Sequence, residues 1–219
     1  MHDHETRKFL NLHTYDAIGP INADALEVVN SWKKTLLARG LLGRLLAGEW
    51  AGYDYGNISF RVSTSPPTML ISGKQTASKC PVTADDFALI LGYRAEDFQV
   101  RSIGLIEPSS ETPLHWAAYE ADARVAAVVH AHIVEYHALA PYFLDFVAKR
   151  QLPTTLKKSK SRDGAEEIGG LVRAGCGRTI CMPHHDGGFG LFFLGESVQQ
   201  AFLTSDGFYE ELERYSLAA

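Results

Sequence analysis

The feature that most constrains the fold is a short apolar run, Val125 to Val129, that ends in His130-Ala-His132. In an extended strand the side chains alternate between two faces, so two histidines with one residue between them point to the same side. Two imidazoles on one side of a strand form a chelating pair. This ending to an apolar run indicates a metal site more than a solvated strand end.

A helix is predicted directly upstream of this strand. Ser109 or Ser110 is a suitable N-cap, and Pro113 is tolerated only in a first turn. Apolar residues with helical spacing follow at positions 114, 117, 118 and 121. The carboxylate of Glu111 is therefore expected in the first turn of this helix, where the free backbone N–H groups could also bind an anion.

The lengths of the two elements predict where Glu111 lies relative to the histidines. A helix that runs to about Glu120 is roughly 15 Å long. The strand from Val125 to His130 is roughly 20 Å long. Because only a short turn joins them, the strand should run back antiparallel beside the helix. Glu111, His130 and His132 should therefore converge, which indicates a metal-dependent enzyme.

Five segments together resemble the class II aldolase/adducin family, which includes fuculose-phosphate and rhamnulose-phosphate aldolases and ribulose-phosphate 4-epimerase. The segments are GNISFR (56–61), ISG (71–73), TADDF (83–87), PSSETPLH (108–115) and VVHAH (128–132). They occur in the expected order within a resemblance that covers about residues 21 to 210, so a chance match is a poor explanation. The resemblance implies an α/β fold, a single-domain αβα layered sandwich with a central, largely antiparallel sheet. We expect residues 21–219 to form this domain and residues 1–20 to be an extension whose His2, His4 and His13 are uninvolved.

The resemblance also implies roles for individual residues. Glu111 matches a carboxylate that serves as metal ligand and catalytic acid/base, and His130 and His132 match two zinc ligands. An anchor for a substrate phosphate or carboxylate matches a set of small and polar residues, which are Asn57, Ser72, Gly73, Ser109 and Ser110. Their amide, hydroxyl and backbone N–H groups would make a neutral donor cradle for an anion.

The chain departs from the family pattern near the third histidine ligand. The family has His-Gly six residues before a glycine that opens the last helical segment, and here that spacing from Gly195 lands on Phe189. An insertion after His184-His185, in a glycine-rich loop, would restore a ligand, with His185 the first choice and His184 the second. The alternative is that the third ligand has been lost, in which case two histidines and a carboxylate would hold a metal more weakly.

Sequence patterns predict alternating helices and strands along the rest of the chain. Helices are expected over 23–47 (with a break at Gly40 or Gly43), 84–91, 133–139, 164–174 and 197–215. Strands are expected over 57–62, 68–72, 98–101 and 178–182. The isolated histidines His115 and His137 are expected to be structural, and Asp186 could orient a histidine ligand.

Composition favours an ordinary soluble enzyme domain. The 219 residues are 46% hydrophobic and 21% charged, with a net charge of −5. This charge argues against a nucleic-acid partner, and the basic cluster at 157–162 is interpreted as a solvated loop. Three cysteines without zinc-finger spacing and no recognisable signal peptide predict a cytoplasmic protein. No apolar run is long enough to cross a membrane, so no membrane partner is expected.

The reaction that the resemblance favours is metal-assisted cleavage of a carbon–carbon bond in a hydroxy-carbonyl substrate through a metal-stabilised enediolate, with sugar phosphates among the candidate substrates. Zn²⁺ is the first choice of metal, with Mn²⁺, Co²⁺ or Fe²⁺ as alternatives. The family implies a small-molecule substrate, a homotetramer and a tyrosine acid, for which Tyr142, Tyr209 and Tyr215 are the alternatives. An epimerase, a dehydratase or a decarboxylase on the same scaffold stays open, as does a non-catalytic, adducin-like binding module.

Overall fold

The computed structural model describes residues 9–11, 23–157, 161–185 and 187–219, and for 9–11, 23 and 184 it describes the backbone alone. Some positions considered above lie outside the described residues. They are His2, His4, His13, positions 158–160 of the basic cluster, the side chain of His184, and Asp186.

An eight-stranded sheet forms the middle layer of the described part of the chain. Its strands are β1 (Phe9–Asn11), β4 (Asn57–Thr64), β5 (Pro67–Ser72), β6 (Phe87–Arg94), β7 (Gln99–Ile103), β8 (Ala127–Val134), β9 (Thr179–His185) and β10 (Gly188–Gly195). The spatial order is β1-β7-β6-β5-β4-β8-β10-β9. Neighbouring strands are antiparallel except β1 and β7, which are parallel. A separate small hairpin pairs β2 (Gly43–Arg44) with β3 (Asp54–Tyr55).

Helices cover both faces of the sheet. They are α1 (Ala23–Ala38), α2 (Thr112–Ala121), α3 (Ala140–Arg150), α4 (Arg162–Arg173) and α5 (Val198–Ala218). One core cluster joins α1, α3 and α5 to the sheet, and a second joins α2 and α4 to the opposite face. This arrangement confirms the predicted αβα layers around a largely antiparallel sheet. None of the described helices is long and apolar enough to cross a membrane.

Strand β8 is largely apolar in sequence because successive side chains point into the two different cores. Val129 and Ile133 belong to the core on the side of α1, α3 and α5, whereas Val128 belongs to the core on the side of α2 and α4. Both faces of β8 are therefore buried. His130 and His132 share the face of Val128, beneath α2.

Two of the predicted helices are wrong. Residues 84–91 contain one 3₁₀ turn, Ala84–Asp86, after which the chain enters β6. Pairing of β6 with both β5 and β7 outweighs the local helical pattern. Residues 133–139 contain the end of β8 and a turn, and the helix begins only at α3, with a proline in its first turn.

Two further regions differ from the sequence pattern. Helix α1 ends at Ala38, before Gly40, which adopts a φ of +67° that favours glycine. The chain then forms the β2–β3 hairpin instead of continuing as helix to position 47. The glycine-rich stretch that follows His185 forms strand β10, because it pairs with β8 on one side and β9 on the other. In the N-terminal region, β1 pairs with β7, and the division at position 20 stays a prediction.

Candidate metal centre

Two histidines of β8 form the middle of a buried cluster. The Nε2 atoms of His130 and His132 are 3.0 Å apart, and the two residues are 0% and 4% exposed. Strand β8 is paired on both sides, so that His130 lies opposite Asn57 of β4 and Phe192 of β10. The backbone that carries the pair is therefore held by two neighbouring strands.

A third histidine comes from the edge strand β9. The Nε2 atom of His185 is 3.1 Å from that of His130, and the three candidate ligand atoms lie within 4.8 Å of one another. In the pairing of β9 with β10, Gly188 lies opposite His185 but Gly190 lies opposite Met182. Strand β9 thus has one extra residue in this interval, a bulge of the kind that redirects a side chain.

Of the alternatives for the third ligand, the structure brings His185 into the cluster. The β9 bulge precedes His185, whereas the insertion expected from the sequence followed it. Phe189, the position given by the family spacing, stacks on Phe143 with ring centroids 4.6 Å apart. That contact belongs to the core beside α3, away from the histidines.

Glu111 lies at the start of α2, as its N-cap, with Thr112 the first helical residue. The predicted N-caps are wrong because Ser109 instead makes the turn before the helix. Its carbonyl accepts hydrogen bonds from the backbone and the hydroxyl of Thr112, at 3.1 and 2.6 Å. Glu111 Oε1 is 3.6 Å from His185 Nε2, and the residue is 3% exposed. Neither carboxylate oxygen accepts a hydrogen bond from a described residue.

Hydrogen bonding fixes the orientation of one imidazole. The Nδ1 atom of His130 is 3.0 Å from the carbonyl oxygen of Leu191, so Nδ1 must carry the hydrogen and donate it. In the neutral ring, the Nε2 atom that faces His132 and His185 then carries a lone pair and no hydrogen. A cation among these nitrogens and the Glu111 carboxylate would satisfy all of them together. The described residues therefore fit a divalent metal ion.

The residues predicted to hold a substrate anion lie on three segments, which are the start of β4, the end of β5 and the turn before α2. The last two of these segments meet. Gly73 forms an isolated bridge with Pro108, and Ser109 N–H donates to the carbonyl of Ser72 at 3.2 Å. The Ser72 hydroxyl accepts the backbone N–H of Ile58 at 3.0 Å. The Ser109 hydroxyl accepts that of Glu111 at 3.3 Å. Each hydroxyl keeps its own hydrogen as a donor.

In Gly73 and Asn57, two residues of the predicted anion-binding set, the hydrogen-bonding groups are not all available donors. The backbone N–H of Gly73 donates to the carbonyl of Asp86 at 2.8 Å, so it is already used within the protein. A Cβ at Gly73 would lie 2.5 Å from the side chain of Ile106, which explains the need for glycine there. Asn57 is 6% exposed, and its Oδ1 atom has no hydrogen-bond partner among the described residues. Ser110 is half-buried at the turn before Glu111.

A buried lysine supports the loop that follows Gly73. The Nζ atom of Lys33 donates to the carbonyls of Thr76 and Lys79, at 2.5 Å each, and the residue is 1% exposed. Burial lowers the pKa of this amine to about 8. Asp54 holds the same loop from the side, because its Oδ2 atom accepts the backbone N–H and the hydroxyl of Ser78 at 2.9 and 2.8 Å.

The other histidines with described side chains have structural partners. His115 is fully buried behind His130, with ring centroids 6.5 Å apart, and its Nδ1 atom is 2.7 Å from Ser59 Oγ. Burial lowers its pKa to about 3, so it is neutral. His137 donates from Nε2 to the carbonyl of Arg39 at 2.8 Å and accepts the backbone N–H of Leu139 at Nδ1.

The tyrosines predicted as acid candidates pack away from the cluster of His130, His132 and His185. Tyr142, Tyr209 and Tyr215 all contact the core formed with α1, α3 and α5. The described tyrosine that contacts the cluster is Tyr55, whose ring centroid is 5.4 Å from that of His132. Sequence reasoning missed Tyr55, because its contact with His132 depends on the β2–β3 hairpin, and no periodic pattern signals that hairpin.

Curated relatives resemble about half of the chain. A methylthioribulose-1-phosphate dehydratase of Bacillus thuringiensis (strain Al Hakam) is 34% identical over 107 residues, which are 47% of this chain and 46% of that protein. The dehydratase of Bacillus cereus (strain AH187) matches to the same extent. The chain therefore matches about half the length of these relatives.

Solved structures share the fold over most of the chain. YgbL of Escherichia coli, described as a putative aldolase/epimerase/decarboxylase, has a TM-score of 0.62 at 15% identity and 90% coverage of both chains. An L-fuculose 1-phosphate aldolase has a TM-score of 0.59 at 17% identity, with 90% of this chain and 86% of that chain covered. The family model of the class II aldolase and adducin N-terminal domain matches residues 42–208. Because this match spans well over half of the chain, the protein belongs to the class II aldolase and adducin family.

Proposed function

We propose that the protein is a metal-dependent lyase that acts on a small hydroxy-carbonyl compound with an anionic end. The observation that carries the proposal is the buried cluster of His130, His132 and His185 with the Glu111 carboxylate 3.6 Å from His185. An arrangement of three nitrogens and one carboxylate is suited to a catalytic divalent site. The proposed metal is Zn²⁺, with Mn²⁺, Co²⁺ or Fe²⁺ as alternatives.

In this proposal the three histidines hold the cation through their Nε2 atoms, and Glu111 is both a ligand and the acid/base. A cation bound there would act as a Lewis acid toward the carbonyl and the adjacent hydroxyl of the substrate. The hydrogen bond from His130 to Leu191 keeps the His130 Nε2 lone pair directed at the site. Burial of the cluster excludes water, which strengthens its electrostatic interactions.

Glu111 is suited to moving a proton because no described residue donates a hydrogen bond to its carboxylate. In carbon–carbon cleavage, the carboxylate would take the proton from the β-hydroxyl as the bond to the α-carbon breaks and its electron pair moves toward the carbonyl. The protonated Glu111 would then return the proton to the α-carbon. No redox partner is needed, since the two fragments together have the composition of the substrate.

Elimination of water is a second candidate reaction, and the resemblance to methylthioribulose-1-phosphate dehydratases favours it. Here the carboxylate would take the proton on the carbon next to the carbonyl, and the same proton would be delivered to the β-hydroxyl that leaves as water. Both reactions need a carbonyl polarised by a cation and a carboxylate beside it. The choice between them is set by which substrate atom lies next to Glu111.

The anionic end of the substrate is proposed to bind between β5 and the turn before α2. Asn57, Ser72, Ser109 and Ser110 would supply side-chain donors, and Gly73 would shape the backbone. Because these donors are neutral, they suit either a phosphate or a carboxylate. The tetramer and the tyrosine acid belong to the proposal by family resemblance, and the cytoplasmic location belongs to it because the three cysteines are free thiols.

A substrate screen with detection by mass spectrometry tests the function. Phosphorylated and unphosphorylated hydroxy-ketones and hydroxy-acids would be incubated with metal-loaded protein and with protein stripped by a chelator. Carbon–carbon cleavage gives two fragments, whereas dehydration gives a product lighter by one water. A metal-dependent product of either kind supports a lyase. A wild-type protein that neither contains nor takes up a divalent metal would instead favour the non-catalytic binding module.

A further inference from the structure

Three rings pack against the ring of His132. The rings of His185 and His130 lie 4.3 and 4.8 Å from it, measured between centroids. The ring of Tyr55 also packs against His132, with the centroids 5.4 Å and the ring planes 38° apart. The backbone N–H of His132 also donates to the carbonyl of Leu41, at 2.9 Å, just before the β2–β3 hairpin.

Tyr55 is itself held firmly in place. Its hydroxyl donates to the carbonyl of Gly40 at 3.1 Å, and the residue is 7% exposed. A Cβ at Gly43 would lie 3.0 Å from this hydroxyl, so the glycine makes room for the phenol. Burial is the main cause that raises the pKa of Tyr55 to about 12, and the phenol therefore stays a neutral donor at ordinary pH.

We infer that Tyr55 is a positioning residue for the metal ligand His132, an inference that rests on the metal centre of the proposed function. The Cβ–Cγ torsion of histidine is soft, so backbone pairing alone does not fix the direction of Nε2. The phenol ring fills the space into which the imidazole would otherwise rotate. Without it, His132 has room to turn its Nε2 atom away from His130 and His185.

The position of Tyr55 also gives the β2–β3 hairpin a role in the metal centre. Strand β3 consists of Asp54 and Tyr55, and the preceding Asp54 holds the loop at Ser78. The hairpin thus contacts the loop that follows Gly73 with one residue and the proposed metal ligand with the next. Tyr55 acts through His132, since its hydroxyl is committed to Gly40.

Metal titration of three variants tests this inference. The full chain would be stripped of metal and titrated with Co²⁺, whose visible absorption reports the ligand geometry, and then with Zn²⁺ in competition. Tyr55→Leu removes the ring and Tyr55→Phe removes only the hydroxyl. Tyr53→Leu is the matched control, because Tyr53 precedes the same hairpin strand but is 56% exposed.

We expect Tyr55→Leu to weaken metal affinity about tenfold or more and to change the Co²⁺ spectrum, as found when groups that orient ligands are removed. Tyr55→Phe should keep the wild-type Co²⁺ spectrum. Tyr53→Leu should match the wild type in both spectrum and metal affinity. Circular dichroism would establish folding, and Tyr55→Met, whose unbranched side chain adapts to an irregular space, replaces the leucine variant if that variant does not fold.

Two results would overturn the inference while the proposed function stands. One is a wild-type spectrum and affinity in Tyr55→Leu or Tyr55→Met. The other is an equal loss of affinity in Tyr53→Leu, which would make the effect a property of the hairpin as a whole. A wild-type chain that takes up neither Co²⁺ nor Zn²⁺ would instead remove the metal centre itself, and this inference with it.

Discussion

Gly190 lies directly against the ring of His185, so closely that a side chain of any kind is excluded. A Cβ at Gly190 would be 2.4 Å from Cδ2 of His185 and 3.2 Å from Cε1 of His130. The residue opposite Gly190 on β8 is His132, so the glycine lies at the centre of the cluster. The His185 ring can occupy its place only because β10 has no side chain at this position.

Gly190→Ala is therefore expected to displace the third histidine and to lower metal affinity at least about tenfold, as loss of ligand orientation does. The measurement is a Zn²⁺ titration of the stripped protein. Gly207→Ala is the control, since nothing lies within 4 Å of a Cβ there and alanine is favourable in a helix. Unchanged affinity in Gly190→Ala would mean that His185 is not a ligand.

Substitution of individual histidines should distinguish the metal ligands from histidines that only lie nearby. His185→Ala and His132→Ala should each reduce the metal content of the purified protein from about one ion per chain, because each removes one ligand. His184→Ala should do less, and His137→Ala should leave the metal content unchanged. Elemental analysis of tag-free protein measures all four. A metal content unchanged in both His184→Ala and His185→Ala would place the third ligand elsewhere.

Glu111→Gln should separate chemistry from metal binding. The amide has the size of the carboxylate but cannot accept the proton, so turnover should fall about 10²- to 10⁴-fold. The three histidines should still retain a metal ion, which elemental analysis of the same sample would show. Full activity of this variant on any substrate that the wild type converts would remove Glu111 from its catalytic role.

The lowered pKa of Lys33 predicts that the free energy of unfolding depends on pH. Its pKa is about 8 in the folded protein and 10.5 ordinarily, so between these values the unfolded chain binds more protons than the folded one. Stability from this group is thus fully present above pH 10.5 and is lost as the pH falls through 8. Relative to Lys33→Met, the wild type should gain on the order of 2 kcal/mol between pH 8 and 10.

Urea unfolding of both proteins at the two pH values measures this difference. The comparison with Lys33→Met cancels the titration of groups that the two proteins share. A difference that is constant with pH, or that shrinks as the pH rises, would contradict the lowered pKa.

Local patterns in the sequence were sufficient to predict the helix and the strand that carry Glu111, His130 and His132. The apolar run of β8 and the short connection from α2 determine which ends of the two elements lie together, and the structure agrees. The start of β6 differs from the helix predicted there because its strand state depends on pairing with β5 and β7, and the pattern within one segment does not contain that pairing.

The third histidine shows where sequence reasoning could not decide. Counting residues from Gly195 depends on the lengths of a bulge and a turn, and neither leaves a periodic signal. The pairing of His185 with Gly188 settles which backbone position faces the cluster. The clearance at Gly190 and the contact of Tyr55 with His132 arise between elements that are distant in sequence, so single-sequence patterns do not contain them.

The position of His185 on an edge strand has a consequence for how the protein opens. Strand β9 pairs with β10 on one side. On the other side, its backbone hydrogen bonds to described residues are at Cys181, whose N–H donates to the carbonyl of Pro153 at 2.8 Å. An ion shared by His185 and the two histidines of β8 would tie this strand to the interior of the sheet across β10. Removal of the ion would release the outermost strand first, and amide hydrogen exchange would rise in β9 before it rises in β8.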